Sequence, residues 1–416
     1  MPEAEPPADS RVTSKRPTHA LAGAPTAVLG LLCAMYFITY VDRVNIATAA
    51  TAIKNEFAIS NTQLGLALGA FGYAYALFQI VGGFIGDRFG ARRTLAACGV
   101  VWAAATAATG LVGGLISLLV VRFILGLGEG ATFPTATRAM SNWLPQERRG
   151  FAQGITHTFA RAGNAVTPPI VAGLMALMGW RAAFVCLGVL SITWAIAWFS
   201  YCCDDPRRHK AIEEANLAGL PPYRGAGAGT AQRIPWPHLV MRMLPTTFVY
   251  FCYAWTLWLY LTWLPSFFQQ GYGLKLSNTA FFSFGVLLAG MIGDTVGGVL
   301  SDRLLRRSGS FLTARRNVIV ASLLASLLFL IPVLLFKDLV VVALSLSAAF
   351  FCLELTIGPI WSVPMDIAPK FSGTAAGIMN TGSAVAGFAS PVVFGWLVDS
   401  PATGICRSPA RSGFCC

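Results

Sequence analysis

The sequence predicts an all-α polytopic membrane protein, and three observations carry that prediction. Only 12% of the 416 residues are Asp, Glu, Lys or Arg, about half the usual share in a globular domain, so a water-facing surface cannot be built from them. Hydrophobic residues make up 55% and the mean hydropathy is +0.63. They fall into blocks of about 20 or more, which as helices cross roughly 30 Å of hydrocarbon. The formal charge of +12 is partitioned by loop, which is a topology signal and not a sign of nucleic-acid binding.

Residues 1–25 are rich in Pro, Ala and charge and read as a disordered cytoplasmic N-terminus. The apolar run that follows is too long for a signal-peptide core and stays as a helix. Spans are expected near 27–50, 63–86, 94–111, 114–138, 150–178 and 181–202, forming an N-terminal half over 26–203. Residues 204–243 are polar and carry Pro221, Pro222, Gly225, Gly227 and Gly229, so they read as a cytoplasmic central loop with at most one short helix, around Ala211 to Leu217. Spans near 244–270, 277–301, 316–336, 339–365 and 371–398 form a C-terminal half over 244–399, and residues 400–416 are a tail of different composition. Twenty arginines and lysines fall on one side of this arrangement against Lys54, Arg181, Lys275 and Lys337 on the other. That asymmetry places the N-terminus and the central loop in the cytoplasm. The ten cysteines lack metal-ligand spacing and read mostly as packing residues.

The two halves repeat each other. Gly83, Asp87 and Arg88 recur as Gly298, Asp302 and Arg303, an offset of 215, and Gly150, Gly154, Ile155, Thr158 and Pro168 recur as Gly373, Gly377, Ile378, Thr381 and Pro391, an offset of 223. Glu129 and Pro134 likewise correspond to Glu354 and Pro359. Parallel repeats of this kind imply a pseudo-two-fold axis along the membrane normal and a site between the halves near the midplane.

Ionisable groups inside the hydrocarbon are costly and by default functional. Span 1 carries Asp42 and Arg43, about 100° apart on the helix, so one can meet a cavity while the other meets a neighbouring helix; a purely structural ion pair is the alternative. Span 4 carries Arg122 and Glu129 on one face. Span 5 carries the polar stripe Gln153, His157, Arg161 and Asn164, which lines a water-filled cavity or seals against another helix. Span 7 carries Tyr253, Thr256, Tyr260 and Trp263 at similar spacing, as packing or as substrate contacts. Counting Arg43, Arg122 and Arg161 against Asp42 and Glu129, the interior is not short of positive charge. Since guanidinium forks bind carboxylate or phosphate in two-point fashion, the expected cargo is a small organic anion. Glu129, balanced between desolvation and nearby arginine, is suited to take and release a proton; His157 can do so or can simply pack.

The segment GFIGDRFGARR, with Gly83, Asp87, Arg88, Gly90, Arg92 and Arg93, joins small residues for close helix approach to a charge cluster at the membrane face, and Asp302 with Arg303 is its second copy. Its expected role is a gate that forms and breaks interhelical bonds. This pattern resembles the signature loop of the major facilitator superfamily. Within it the chain is similar to the anion:cation symporters, which include hexuronate, galactonate, glucarate and tartrate carriers. The string Tyr40 to Asn45, the Tyr75 to Gln79 run, and Arg122 with Glu129 and Gly130 carry that resemblance over about residues 25–400. It implies the major facilitator fold, substrate binding by Arg43, Arg122, Tyr75 and Asn380, and proton coupling by Asp42 and Glu129; Arg161 and His157, which match only part of the family, are substrate-binding candidates from the span 5 stripe. A monomer in the plasma membrane is expected, with an organic anion and a proton as partners, no cofactor, no metal and no nucleic acid.

No nucleotide-binding motif, metal cluster or catalytic nucleophile pattern stands in the sequence, so an enzyme or a primary pump is not expected; the alternative to a symporter is a passive facilitator or channel. After Asp399 the chain runs SPATGICRSPARSGFCC, which cannot cross about 30 Å of hydrocarbon. The expectation is therefore eleven spans with the twelfth missing, through truncation, a frameshift or a natural short form. Cys406, Cys415 and Cys416 then lie on the non-cytoplasmic side, and stability and transport are both lowered.

Overall fold

The computed structural model describes residues 23–212, 217, 219–223 and 234–399. Residues 1–22 and the 400–416 tail, with its three cysteines, lie outside it, as does most of the short helix expected at Ala211 to Leu217. The described residues are helical, with no strand among them.

The N-terminal half comprises α1 (Ala24–Phe57), α2 (Asn61–Phe89), α3 (Ala91–Thr109), α4 (Leu115–Gly130), α5 (Thr132–Trp143) and α6 (Arg149–Tyr201); the C-terminal half comprises α7 (Trp236–Tyr272), α8 (Leu276–Ser308), α9 (Val318–Leu335), α10 (Leu339–Glu354), α11 (Ile357–Ile367) and α12 (Ser372–Asp399). Local chemistry sets several boundaries. Ser60 and Gln63 form a reciprocal capping box that starts α2, and Asp338 accepts the N–H groups of Val340 and Val341 to start α10. Gly90 separates α2 from α3 at φ +89, a left-handed conformation open to glycine; a Cβ there would lie 2.3 Å from the Asp204 carboxylate.

The expected spans 5 and 6 are one 53-residue helical stretch broken by the non-helical Gly179. Spans 4 and 10 are each split, the first at Ala131 and the second at Leu355 and Thr356, immediately beyond Glu129 and Glu354. Helix α7 starts at Trp236, inside the stretch expected to be central loop. Seven helical stretches are long and apolar enough to cross a membrane, with Gln146–Tyr201 counting as two helices joined at Gly179. With α3, α7 and α12 the described residues supply eleven segments of spanning length.

Polarity is inverted relative to a water-soluble protein. Leu77, Leu177, Leu334, Leu344 and Val392 are exposed on the outside, whereas Asp42, Arg122, Glu129, Asp294 and Glu354 are buried. Hydrocarbon outside makes an exposed leucine free of cost and drives every charge inward to a partner. The halves meet along two seams, α2 against α12 and α6 against α8.

Candidate functional site

At the bundle end that carries the Gly83 to Arg93 loop, the seams are tied by two buried aspartates. Asp87 accepts the Gly373 and Thr374 N–H groups at 3.0 and 2.7 Å, plus the Thr374 hydroxyl at 2.7 Å. Asp302 accepts the Gly150 and Phe151 N–H groups at 3.0 and 2.7 Å. Each carboxylate thus caps the start of a helix in the opposite half, where free N–H groups and the helix dipole favour negative charge. Glycine lets the backbones approach: a Cβ on Gly83 would fall 2.2 Å from the Gly373 carbonyl oxygen, and one on Gly298 2.1 Å from that of Gly150.

The arginines of this latch are not those expected from the loop. Arg138 Nε lies 3.7 Å from Asp87, Arg315 Nη1 lies 3.0 Å from Asp302, and Asp366 binds both Arg149 and Arg315, at 3.0 and 3.1 Å. Arg88, Arg93 and Arg303 are exposed. Arg92 instead ties its own half together: its N–H donates to Asp204 Oδ1 and its Nε to the Phe199 carbonyl, both at 2.9 Å. Burial pushes the Asp204 carboxyl above its usual range, against the pull of those backbone N–H groups.

Deeper in the bundle, Asp42 and Arg43 turn to different neighbours. Asp42 Oδ2 accepts from Ser191 at 2.7 Å, while Arg43 Nε donates to Glu129 Oε2 at 2.6 Å. Arg122 donates to the Asp42 carbonyl at 3.5 Å and lies over the Phe71 ring. The Arg43 guanidinium is ringed by Tyr75, Tyr40 and Phe133 at 4.5 to 5.0 Å from their centroids, an arrangement that favours a cation by cation–π attraction. Asn380 Nδ2 donates to Gln79 Oε1 at 2.9 Å and to the Tyr75 hydroxyl at 3.3 Å, so α2 and α12 meet beside Arg43.

Arg161 stands across the other seam. Its Nε donates to Asp294 Oδ2 at 2.7 Å, and its Nη2 to the Tyr253 hydroxyl at 3.0 Å and to Glu354. Tyr253 in turn donates to Glu354 Oε2 at 2.6 Å. His157 packs between Tyr36 and Trp361, each ring centroid 5.1 Å away, and its Nδ1 carries the hydrogen because its partner, 2.8 Å distant, is the Gln153 carbonyl. Of the span 7 stripe, Tyr253 reaches the charges, Tyr260 donates to the Leu346 carbonyl and Trp263 packs on Phe394.

Sequence reasoning missed Asp294, Trp361, Tyr250, Arg138 and Asp366. The signal for Asp294 was there: the offset that carries Asp87 onto Asp302 also carries Gln79 onto Asp294. Its inclusion changes the charge count. Against Arg43, Arg122 and Arg161 stand Asp42, Glu129, Asp294 and Glu354, so the expected excess of positive charge is replaced by a formal excess of one negative charge among these groups.

Two repeated halves, tied to each other at one end and carrying charged groups in the middle, make up the bundle. A family model described as Major Facilitator Superfamily matches residues 32–391, and the chain belongs to that superfamily. Over 373 residues, 89% of this chain and 87% of the relative, it is 47% identical to a protein of Cupriavidus necator named as probable sulfoacetate transporter SauU. It is 31% identical over 376 residues, 88% of this chain and 86% of the relative, to the hexuronate transporter of Bacillus subtilis. The solved proton:xylose symporter XylE superposes with a TM-score of 0.70 at 15% identity over 90% of each chain, a likeness of fold. The chain is a membrane transport protein and not an enzyme.

Proposed function

We propose that this chain is a secondary active transporter that carries a small organic anion across the plasma membrane by alternating access, with the proton as coupling ion. The Arg43–Glu129 pair carries the reading. An anion that takes the guanidinium from Glu129 leaves a buried carboxylate without its counter-charge, a state costing about 3–5 kcal/mol. A proton on Glu129 removes that cost, so anion and proton enter together. The formal negative excess of the interior supports the same coupling, because an added anion deepens it. The relatives named for sulfoacetate and hexuronate support the cargo class.

Asp42 serves as partner to Glu129. The loop asymmetry of positive charge supports a cytoplasmic N-terminus, and on this reading the latched end faces the cytoplasm. Both halves of the site come from one chain, which supports action as a monomer. Proteoliposome uptake of labelled carboxylates and sulfonates under an imposed proton gradient tests the reading: absence of uptake for all of them rejects it, and uptake indifferent to a proton ionophore favours a passive facilitator. Glu129→Gln should lose gradient-driven accumulation while retaining counterflow exchange, which moves no net proton. Unchanged accumulation would remove Glu129 from the coupling step.

A further inference from the structure

Two arginines in the bundle share one design. Arg43 and Arg161 keep 16% and 12% of their side chains accessible, while the carboxylates behind them, Glu129, Asp294 and Glu354, have none. Both are held from behind through Nε, by Glu129 and Asp294 respectively. That hold leaves terminal nitrogens over: Arg43 Nη2 is buried with no acceptor, and Arg161 Nη1 has no acceptor among the described residues, since its other bonds run through Nε and Nη2. A guanidinium with a spare edge is a donor set awaiting an anionic group.

Both arginines come from the N-terminal half, but different halves hold them. Arg43 is bound within the N-terminal half, whereas Arg161, from α6, is clamped to α7, α8 and α10. The side chains that link them are mostly packed rings. Arg43 lies over Tyr40 and Phe133; Phe133 meets His157 at 6.0 Å and Trp361 at 6.2 Å; Trp361 donates to Tyr250, which stacks on Tyr253 beside Arg161. These rings carry few hydrogen-bonding groups, in contrast to the Asn380–Gln79–Tyr75 cluster beside Arg43.

We infer that Arg161 is a second anion-binding point facing Arg43, so that the preferred cargo is a small dianion carrying an anionic group at each end of a short skeleton. This rests on the reading of the chain as an organic-anion carrier and narrows it. An anionic group on the spare edge of Arg161 competes with Asp294 and Glu354 for its charge, just as one on Arg43 competes with Glu129. The second charge is what distinguishes a dianion from a monoanion at this site.

Counterflow of labelled sulfoacetate in proteoliposomes, with acetate and methanesulfonate as competitors, tests the inference. Each competitor carries one of the two anionic groups of sulfoacetate. In the wild type both should compete about 10- to 100-fold more weakly than sulfoacetate, the worth of one set of charged hydrogen bonds. Arg161→Gln should bring sulfoacetate down to the level of the half-molecules and leave those unchanged. Tyr253→Phe, which keeps Arg161 but loosens its hold, should weaken sulfoacetate alone and by less. Half-molecules that compete within a few-fold of sulfoacetate in the wild type overturn the inference without any variant, as does an Arg161→Gln that weakens all three alike. A wild type that exchanges monoanions but not sulfoacetate overturns the dianion and leaves the organic-anion reading standing; one that exchanges none overturns both.

Discussion

The seam between α2 and α12 and the seam between α6 and α8 are copies of each other at one end and differ in the middle. At the latched end the same geometry occurs twice, with an aspartate accepting two N–H groups at 3.0 and 2.7 Å from the first turn of a helix in the other half. Further in, the repeat-related positions Gln79 and Asp294 have parted: Gln79 accepts a neutral hydrogen bond from Asn380, whereas Asp294 accepts a charged one from Arg161. The comparison separates two tasks. Tying one end of the bundle is mechanical and both seams perform it alike; in the middle the seams differ in charge, one neutral and the other ionic.

The largest effect should come from the latch with the closer ion pair. Asp302→Asn removes the charge that Arg315 meets at 3.0 Å and that two helix-start N–H groups share. Breaking a buried pair costs about 3–5 kcal/mol, enough to open the sealed end in most molecules. A cysteine replacing the buried Ser141, whose hydroxyl accepts from Ser372 across the interface at 3.1 Å, should then react with a maleimide far faster in the Asp302→Asn background. An unchanged labelling rate would show the aspartate to be dispensable for closure.

Asp87→Asn should act in the same direction and less strongly. Arg138 is 3.7 Å from Asp87 and is also tied to the Pro369 and Lys370 carbonyls, so it keeps partners when the charge goes. The expected cost is about 1–3 kcal/mol. Equal labelling of the Ser141 probe in both variants would mean that the caps, and not the arginines, set the strength of the two latches. The smallest effect is predicted in the middle of the α2–α12 seam. Gln79→Ala removes a neutral hydrogen bond worth about 0.5–1.5 kcal/mol, so it should raise KM a few-fold and leave the Ser141 probe unreactive. Exposure of that probe would make Gln79 part of the latch.

Much of the fold was legible because a bilayer imposes simple rules on a sequence. Segment length, loop charge and the 215- and 223-residue offsets follow from hydrocarbon thickness, from topology and from internal duplication, none of which needs a neighbour in space. The site was legible only in part. Arg43, Glu129 and Arg161 stood out as polar groups in apolar helices, and Asn380 only through the family resemblance. Their partners did not: the mate of Arg43 is on α4 and those of Arg161 are on α7, α8 and α10. The latch shows the same limit. The exposed Arg88, Arg93 and Arg303 sit in the loop pattern, while the buried Arg138 and Arg315 reach the aspartates from elsewhere in the chain.

By itself, then, the sequence determined that this chain is a duplicated bundle of membrane-spanning helices with charges it must hide, because hydropathy and periodicity act through the solvent and are written along the chain. Tertiary structure alone decided which charge hides against which. In hydrocarbon the cost of an unpaired ion is high, so Arg43 and Arg161 take the carboxylates that packing brings within about 3 Å, and that choice depends on where six helices cross and not on the residues beside them.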